Sequence, residues 1–281
     1  MPVNEILKFF AHYIEKKLGI IYEDHNYYQL QNRLEELGLL LGKKDIQELY
    51  QVCQNGVPSS VEILLLDLAT NNETSFFRDM KVFKAVESHI LSKYKSGLVK
   101  DGDTLQFWSA ASSTGQEPLS LAIMLTELIS QNGMKINFEI QATDISERVL
   151  QKAKQGIYSN LEVQRGLPIN YLVKYFTKID ESKWQIKPQI SKHVHFTKLN
   201  LKEKFSLDKK NDFIFCRNVL IYQNVESKIA IINHMTQFLK ESGVMVLGSG
   251  ESLIGLSSSF DLQNIDNAVI YTKKSALSLS A

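Results

Sequence analysis

The sequence is poor in the features that mark disulfide-rich, metal-bound, membrane-spanning or nucleic-acid-binding proteins. Its 281 residues include two cysteines, Cys53 and Cys216, which lie far apart and show no metal-ligand spacing. The net charge of +1 creates no general attraction to nucleic acid or to an anionic membrane. The apolar runs fall well short of the ~20 residues that span a bilayer, and MPVNEILKFF is unlike a secretory signal. We expect a cytoplasmic protein with no metal site, no nucleic-acid partner and no membrane insertion.

Two phosphate-binding motifs are also missing. A P-loop requires a glycine-rich loop that ends in Gly-Lys-Ser or Gly-Lys-Thr, and the sequence contains no such loop. It has no G-x-G-x-x-G dinucleotide fingerprint either. A NAD oxidoreductase is therefore the weakest candidate among the enzymes considered.

The chain divides into two patterns. Residues 1–70 contain four amphipathic segments at helical spacing and carry six Lys and Arg against ten Asp and Glu, so an acidic all-α N-terminal domain is predicted. Residues 99–281 alternate strands with helices, which is typical of a doubly wound, mostly parallel sheet. Residues 71–98 are predicted to link the two, and a small β-subdomain is expected near 176–197. The predicted strands are 105–108, 138–143, 193–197, 212–216, 243–248 and 268–272, the last a candidate for antiparallel pairing.

The stretch LQFWSAASSTGQEP, residues 105–118, predicts a ligand site. An apolar strand leads into seven small or polar residues, and Pro118 then suits the first turn of a helix. A helix N-terminus after such a turn offers backbone amides to a ligand, although an ordinary strand-to-helix connection would look the same. Glu117 would repel a phosphate, so a cationic ligand is favoured. S-adenosylmethionine (SAM), with an ammonium, a sulfonium and no phosphate, fits this pattern.

Three further positions stand where a ligand edge is expected. Asp144 ends the second predicted strand, where a carboxylate can accept hydrogen bonds from ribose hydroxyls; its alternative role is to cap the next helix. Arg217 and Asn218 interrupt an apolar run at the end of another strand. Tyr222 follows them and could equally be a core residue. The segment NNETSFFRD, residues 71–79, could be no more than a domain junction with packed aromatics.

These segments carry a resemblance to a known family. NNETSFFRD, FWSAASSTGQEP, ATDIS, KAKQGIY and FIFCRNVLIY, in this order, resemble the motifs of the CheR-type chemoreceptor glutamate O-methyltransferases. The similarity covers nearly the whole chain, including the helical N-terminal part. It implies a SAM-dependent methyltransferase fold and an enzyme that esterifies glutamate side chains on the cytoplasmic domain of bacterial methyl-accepting chemotaxis receptors. The product of the cofactor would be S-adenosylhomocysteine.

The resemblance also implies roles for individual residues. Asn200 and Leu201 would flank the adenine, Arg217 and Asn218 would close the pocket, and Tyr222 would face the transferring methyl group. Arg78 and Tyr222 would be the catalytic pair. The remaining implied cofactor contacts are Asn72, Thr74, Arg78, Glu117 and Asp144.

The chemistry agrees with this assignment. A glutamate carboxylate with a pKa near ~4.3 is already ionised at neutral pH, so its attack on a sulfonium methyl group needs no general base. Catalysis should come from alignment and from exclusion of water. Arg78 could grip a carboxylate in a forked contact, and Tyr222 could orient the nucleophile or line the sulfonium.

Two regions depart from the family pattern. Family members often dock the receptor through a basic N-terminal helix, but here Glu35 and Glu36 stand in the corresponding stretch and only Arg33 is positive. Some members bind a receptor pentapeptide through a β-subdomain with a glycine-rich turn, and residues 176–194 contain no glycine. We expect a monomer that does not use a pentapeptide tether. Two other functions stay open: a SAM methyltransferase for a small carboxylic acid, and a non-catalytic SAM-binding signalling scaffold.

Overall fold

The computed structural model describes residues 1–275 of the chain. The N-terminal part is helical, as predicted, and its helices surround a separate apolar cluster that includes Ile6, Phe10 and Leu34. Gly19, with a φ of 74°, accepts the left-handed conformation that ends the first helix. The four helices are α1 (Val3–Leu18), α2 (Tyr27–Leu40), α3 (Ile46–Cys53) and α4 (Ser59–Ala69).

The remainder alternates helices and strands. The helices are α5 (Met80–Lys95), α6 (Gln116–Asn132), α7 (Glu147–Gln155), α8 (Asn160–Gln164), α9 (Ile169–Tyr175), α10 (Pro188–Ser191) and α11 (Val225–Gln237). The strands are β1 (Thr104–Ala110), β2 (Asn137–Asp144), β3 (Ile157–Ser159), β4 (Phe176–Lys178), β5 (Lys183–Ile186), β6 (Val194–Lys198), β7 (Asn211–Cys216), β8 (Leu239–Leu247), β9 (Phe260–Ile265) and β10 (Ala268–Lys273).

The main sheet has the strand order β6-β2-β1-β7-β8-β10-β9. The first five strands in this order are parallel, and β10 is antiparallel to both β8 and β9. The chain therefore winds outward from β1 to one edge and returns to the other side at β7, so the order reverses between β1 and β7. In open α/β sheets ligands bind at such a switch point, outside the carboxyl ends of the strands. The predicted doubly wound, mostly parallel sheet is confirmed.

Residues 71–98, predicted to link the two units, contain the long helix α5. Its apolar face, with Val82, Phe83, Val86 and Ile90 at spacings of one to four residues, is buried in the core of the sheet unit. This helix therefore packs with the sheet and does not span between the two units.

Two other boundaries differ from the prediction. The strand predicted over 243–248 begins earlier than expected, because β8 starts at Leu239, just after α11 ends at Gln237. The small sheet, with strand order β3-β5-β4, draws its strands from residues 157–186. Residues 194–198 pair with β2 in the main sheet because parallel pairing there buries Val194.

The two units are held together by polar contacts as well as by packing. Asp67 on α4 is buried and accepts hydrogen bonds from the hydroxyl of Ser146 and from Nε of Arg148, the latter at 2.6 Å. Within residues 1–275, no helix combines the length and apolarity needed to cross a bilayer.

Candidate functional site

A cleft lies at the carboxyl edge of the main sheet, beside the switch point. Its wall includes residues from the turns after β1, β2 and β7, from the segment before α5, and from the end of α1. The site residues named from the sequence all line this one cleft: Asn72, Thr74, Arg78, Glu117, Asp144, Asn200, Leu201, Arg217, Asn218 and Tyr222.

The turn between β1 and α6 forms the floor of the cleft. Ala111, Ser113 and Gly115 have φ values of 55°, 51° and 93°, and such conformations in non-glycine residues cost free energy that surrounding contacts must offset. A Cβ on Gly115 would approach the Tyr158 hydroxyl to 3.1 Å. That hydroxyl donates a hydrogen bond to the carbonyl of Thr114 at 2.8 Å. The glycine is therefore required by its conformation and by the close packing of the turn.

Asp144 is the most buried carboxylate of the cleft, with 5% of its surface exposed. Its Oδ2 accepts the backbone N–H of Ser113 at 2.8 Å, and its Oδ1 accepts that of Ser146 at 3.0 Å. Burial raises the pKa of Asp144, and the backbone hydrogen bonds oppose that rise. The cap of α7 is Ser146, whose hydroxyl accepts the N–H of Val149. Asp144 is thus free of the capping role, and its carboxylate retains lone pairs for hydroxyl donors.

The segment before α5 is fastened to the floor of the cleft. The carbonyl of Asn72 accepts the Ser113 hydroxyl at 2.7 Å, and the N–H of Phe77 donates to Ser120 Oγ at 2.9 Å. Phe76 is fully buried, so the packed aromatics expected of a junction are present. Among residues 1–275 no carboxylate forms a salt bridge with Arg78; its Nη1 donates to the carbonyl of Glu73 at 3.2 Å. The half-buried guanidinium keeps other donors for a ligand.

Arg217 joins three parts of the cleft wall. Its Nη1 donates to Glu117 Oε2 at 3.1 Å, and its Nη2 donates to Asp79 Oδ2 at 2.7 Å and to the carbonyl of Arg78 at 2.9 Å. The other oxygen of Glu117 accepts the Ser109 hydroxyl at 2.7 Å. Glu117 is therefore held in one orientation and is electrostatically balanced, yet each of its oxygens can accept a further hydrogen bond.

The mouth of the cleft is formed by the turn after β7 together with the N-terminal unit. Tyr222 is 37% exposed, so it is not a core residue, and its hydroxyl accepts a hydrogen bond from Asn71 Nδ2 at 2.7 Å. Its carbonyl accepts the N–H of Ile21 at 3.1 Å. Asn200 donates to the carbonyl of Lys17 at 3.1 Å. The end of α1 and the residues that follow it thus contact two parts of the cleft wall, so the N-terminal unit forms part of the site.

Three polar atoms of the cleft residues are buried and have no hydrogen-bond partner within the described part of the chain: Ser112 Oγ, Gln223 Oε1 and Arg217 Nε. Buried polar groups are rarely left unpaired in native proteins, so these atoms are available to hydrogen-bond a ligand that enters the cleft. The wall also presents carboxylates at Glu117 and Asp144 and an apolar side chain at Leu201. This set suits a ligand with an ammonium, ribose hydroxyls and a purine, and therefore fits SAM. In residues 1–275 no group of three His, Cys, Asp and Glu side chains is placed to hold a metal ion.

Sequence reasoning missed several residues of the site. Asn71 and Ser112 lie inside segments that had been singled out, but neither was assigned a role. Gln223 follows Tyr222 directly, and its burial at 9% exposure was not indicated by any pattern. Glu251 does not line the cleft but bonds the turn after β7, and it lies 33 positions after Asn218, outside every recognised segment. The sequence did offer one signal for Glu251: it is an acidic residue in GSGESL, just after the end of a predicted strand.

The acidic helix α2 is arranged differently from a basic docking helix. Glu35 and Glu36 are exposed, as are the apolar side chains of Leu39 and Leu40. Arg33, the one positive residue of the stretch, turns inward and donates to the Tyr22 hydroxyl and, at 2.6 Å, to the carbonyl of Ala69. Its guanidinium is therefore occupied within the N-terminal unit.

The fold and the cleft define the class: the protein is a SAM-dependent methyltransferase. The CheR methyltransferase, SAM binding domain model matches residues 72–269. The chain is 34% identical over 275 residues to chemotaxis protein methyltransferase 1 of Pseudomonas aeruginosa, covering 96% of this chain and 98% of that protein. It is 33% identical over 266 residues to the chemotaxis protein methyltransferase of Vibrio anguillarum, covering 94% and 95%. The chain belongs to the CheR methyltransferase family, which confirms the resemblance, the class of enzyme and the cofactor.

Among solved structures, the N-methyltransferase NodS from Bradyrhizobium japonicum in complex with S-adenosylhomocysteine aligns with a TM-score of 0.42 at 12% identity, covering 74% of this chain and 95% of that one.

Proposed function

We propose that this protein transfers the methyl group of SAM to glutamate side chains on the cytoplasmic domain of methyl-accepting chemotaxis receptors, forming methyl esters. The observation that carries the proposal is the convergence of ten residues, assigned from the family motifs, on one cleft that is open beside Tyr222. The matched relatives are named chemotaxis protein methyltransferases, and they align along nearly their whole length.

Each wall of the cleft has a proposed task. Asp144 accepts hydrogen bonds from the ribose hydroxyls, and Glu117 accepts the ammonium of the methionyl group. Asn72 and Thr74 contact the cofactor from the segment before α5. Asn200 and Leu201 flank the adenine, whereas Arg217 and Asn218 close the pocket. The buried, unpaired Ser112 hydroxyl supports this picture because a bound cofactor would supply its missing partner.

Arg78 and Tyr222 are the proposed catalytic residues. When bound, SAM supplies an electrophilic methyl group on a positively charged sulfur. Arg78 presents forked N–H donors that hold a carboxylate, either that of the substrate or that of the methionyl group. Tyr222, held by Asn71, presents an aromatic face and a phenol oxygen to the reacting centre. No residue needs to remove a proton because the glutamate carboxylate is already ionised at neutral pH.

The N-terminal unit is the proposed receptor-docking domain. Residues 1–70 border the mouth of the cleft through Ile21 and Lys17, so a helix docked on this unit would bring its glutamates to the cleft. The exposed Leu39 and Leu40 on α2 support an apolar contact with the receptor, since Arg33 is occupied. We further propose that residues 71–98 carry the chain from this unit into the methyltransferase domain of residues 99–281, with α5 packed in the core of the sheet unit.

The same proposal covers the setting of the reaction. The protein acts as a cytoplasmic monomer, without inserting into the membrane, and it does not require a pentapeptide tether. The turn between β4 and β5, residues 179–182, contains no glycine, which supports tether-independent action. Measurable binding of an NWETF-type peptide would contradict that part.

The test is a methyl-transfer assay. Membranes that contain chemotaxis receptors are incubated with the protein and SAM labelled in the methyl group, and base-labile label is measured on the receptor. The expected result is labelled receptor with the wild-type protein and greatly reduced label with Asp144→Asn. Label on a small carboxylic acid alone would favour the small-molecule methyltransferase. Tight SAM binding without any transfer would favour the scaffold.

A further inference from the structure

The turn after β7 is held by a single carboxylate from a distant part of the sequence. Glu251 Oε1 accepts the backbone N–H groups of Val219, Leu220 and Ile221 at 2.9, 2.7 and 3.2 Å. Its Oε2 accepts the N–H of Asn218 at 2.7 Å and that of Gly248 at 2.8 Å. Four of these five donors are consecutive residues of the turn that leads directly to Tyr222.

We propose that Glu251 is a positioning residue for methyl transfer: it fixes the turn of residues 218–221 and thereby sets the place of the Tyr222 side chain at the mouth of the cleft. This inference rests on the proposed function, since it assigns Glu251 a role through Tyr222. Glu251 is not among the residues that line the cleft, so it acts on the reaction only through the turn of residues 218–221.

The surroundings of Glu251 support a specific role. Asn218, the first residue of the turn, has a φ of 59°, a conformation that non-glycine residues adopt only when contacts hold them there. A Cβ on Gly248 would lie 2.9 Å from the backbone nitrogen of Asn218 and 2.9 Å from Glu251 Oε2. The close approach of the chain after β8 to the turn after β7 therefore depends on a glycine at position 248. This close approach places the Glu251 carboxylate within hydrogen-bond distance of all five N–H groups.

The carboxylate suits this task better than any neutral side chain. An ionised carboxylate accepts only and offers about four lone-pair sites on its two oxygens. It can therefore face all five N–H groups without presenting a donor to them, with Oε1 shared by three of them. Hydrogen bonds to a charged acceptor are also stronger than neutral ones. A glutamine of the same shape would accept through one oxygen and would direct its NH₂ group at the N–H donors. Glu251→Gln therefore removes the clamp with almost no change in volume.

The first measurement is hydrogen exchange of residues 218–221. We expect faster exchange in Glu251→Gln than in the wild type, and unchanged exchange in Glu226→Gln, a matched change on the exposed first turn of α11. Equal protection of the turn in Glu251→Gln and wild type would overturn the proposal. This readout does not depend on turnover, so it tests the clamp even if the receptor assay shows that the proposed function is wrong.

The second measurement separates positioning from a general structural effect. In the receptor assay Glu251→Gln should lower kcat on the order of tenfold or more, as misplacement of a catalytic group does, while the Kd for S-adenosylhomocysteine changes less. In a Tyr222→Phe background the same substitution should have a much smaller effect on kcat, because residues that act as a unit are not additive. Full additivity of the two substitutions in kcat would contradict a role through Tyr222.

Discussion

Nη1 of Arg217 lies 3.1 Å from Oε2 of Glu117, so two side chains assigned to the cofactor from separate motifs are bonded to each other. Arg217 comes from the turn after β7, and Glu117 from the first turn of α6. The side chain of Arg217 is only 2% exposed, and its Nη2 also lies 2.7 Å from Oδ2 of Asp79. The acid that is proposed to receive the ammonium is therefore oriented by an arginine before any ligand binds.

Arg217→Lys should weaken cofactor binding and the fold together. A lysine keeps the charge but cannot reach both carboxylates and the Arg78 carbonyl with a planar fork. We expect the Kd for S-adenosylhomocysteine to rise at least tenfold and the free energy of unfolding to fall by about 1–3 kcal/mol, the cost of leaving buried polar groups unpaired. Calorimetric titration and urea denaturation measure the two quantities.

The matched control for this change is Arg148→Lys. Arg148 also bonds a carboxylate, the buried Asp67, but its own side chain is 65% exposed, so a lysine at this position keeps its charge in solvent and is expected to cost less than one at position 217. If Arg217→Lys behaved like Arg148→Lys in both measurements, the proposed role of Arg217 in shaping the pocket would be wrong.

Tyr222→Phe should affect turnover more than cofactor affinity. The hydroxyl bonds Asn71 at the mouth of the cleft, where its loss would disturb the reacting centre and leave the deeper contacts of Glu117 and Asp144 intact. We expect kcat to fall on the order of tenfold, equivalent to about 1.4 kcal/mol in the barrier, with nearly unchanged binding of S-adenosylhomocysteine. Tyr94→Phe, which removes a hydroxyl bonded to Asp101 at 2.6 Å on the exposed end of α5, provides the control. Full activity of Tyr222→Phe would argue against a catalytic tyrosine.

Local pattern was enough to predict most elements of the sheet unit. The apolar run before Ser109, the small residues and Pro118 predicted a strand, a turn and a helix, and β1 and α6 lie there. Asp144 was placed at the ligand edge because it ends a strand, and it lines the cleft. These inferences succeeded because each depends on residues that are neighbours in sequence.

The features that were missed depend on contacts between distant residues. The bond between Arg217 and Glu117 joins positions 100 residues apart, and nothing in either motif indicates that they meet. The five N–H groups around Glu251 are backbone groups, which leave no trace in the sequence. The inward turn of Arg33 toward Ala69 likewise depends on the packing of α2 against α4. Such details require the tertiary structure.

The affinity for the cofactor should depend on pH through Asp144. Burial raises the pKa of Asp144 in the fold, whereas accepting hydrogen bonds from ribose hydroxyls favours its ionised form. Lowering the pH through this raised pKa should protonate Asp144 and raise the Kd for S-adenosylhomocysteine. Asp144→Asn should bind weakly at all pH values and lose this dependence. An unaltered pH profile in the variant would show that another group controls binding.

The stability of the fold should fall in mild acid because of His89 on α5. Its ring packs edge-on against Phe213 at 5.8 Å, and its Nε2 is buried without a hydrogen-bond partner among the described residues. Burial, with a smaller contribution from Lys93, lowers the pKa of His89 from 6.5 to about 4. The folded state therefore resists a protonation that the unfolded chain accepts. The contribution of His89 to the free energy of unfolding is complete above pH 6.5 and is lost as the pH falls toward 4.

Between pH 7 and pH 5 this linkage should remove about 2 kcal/mol from the free energy of unfolding, since one pKa unit corresponds to about 1.4 kcal/mol. His89→Phe keeps an aromatic ring against Phe213 and removes the titrating group, so its stability should fall less over the same interval. His193, whose pKa burial also lowers, stays in both proteins and cancels in the comparison. Urea denaturation of both at the two pH values measures the difference. Parallel losses in the wild type and His89→Phe would assign the acid sensitivity to other groups.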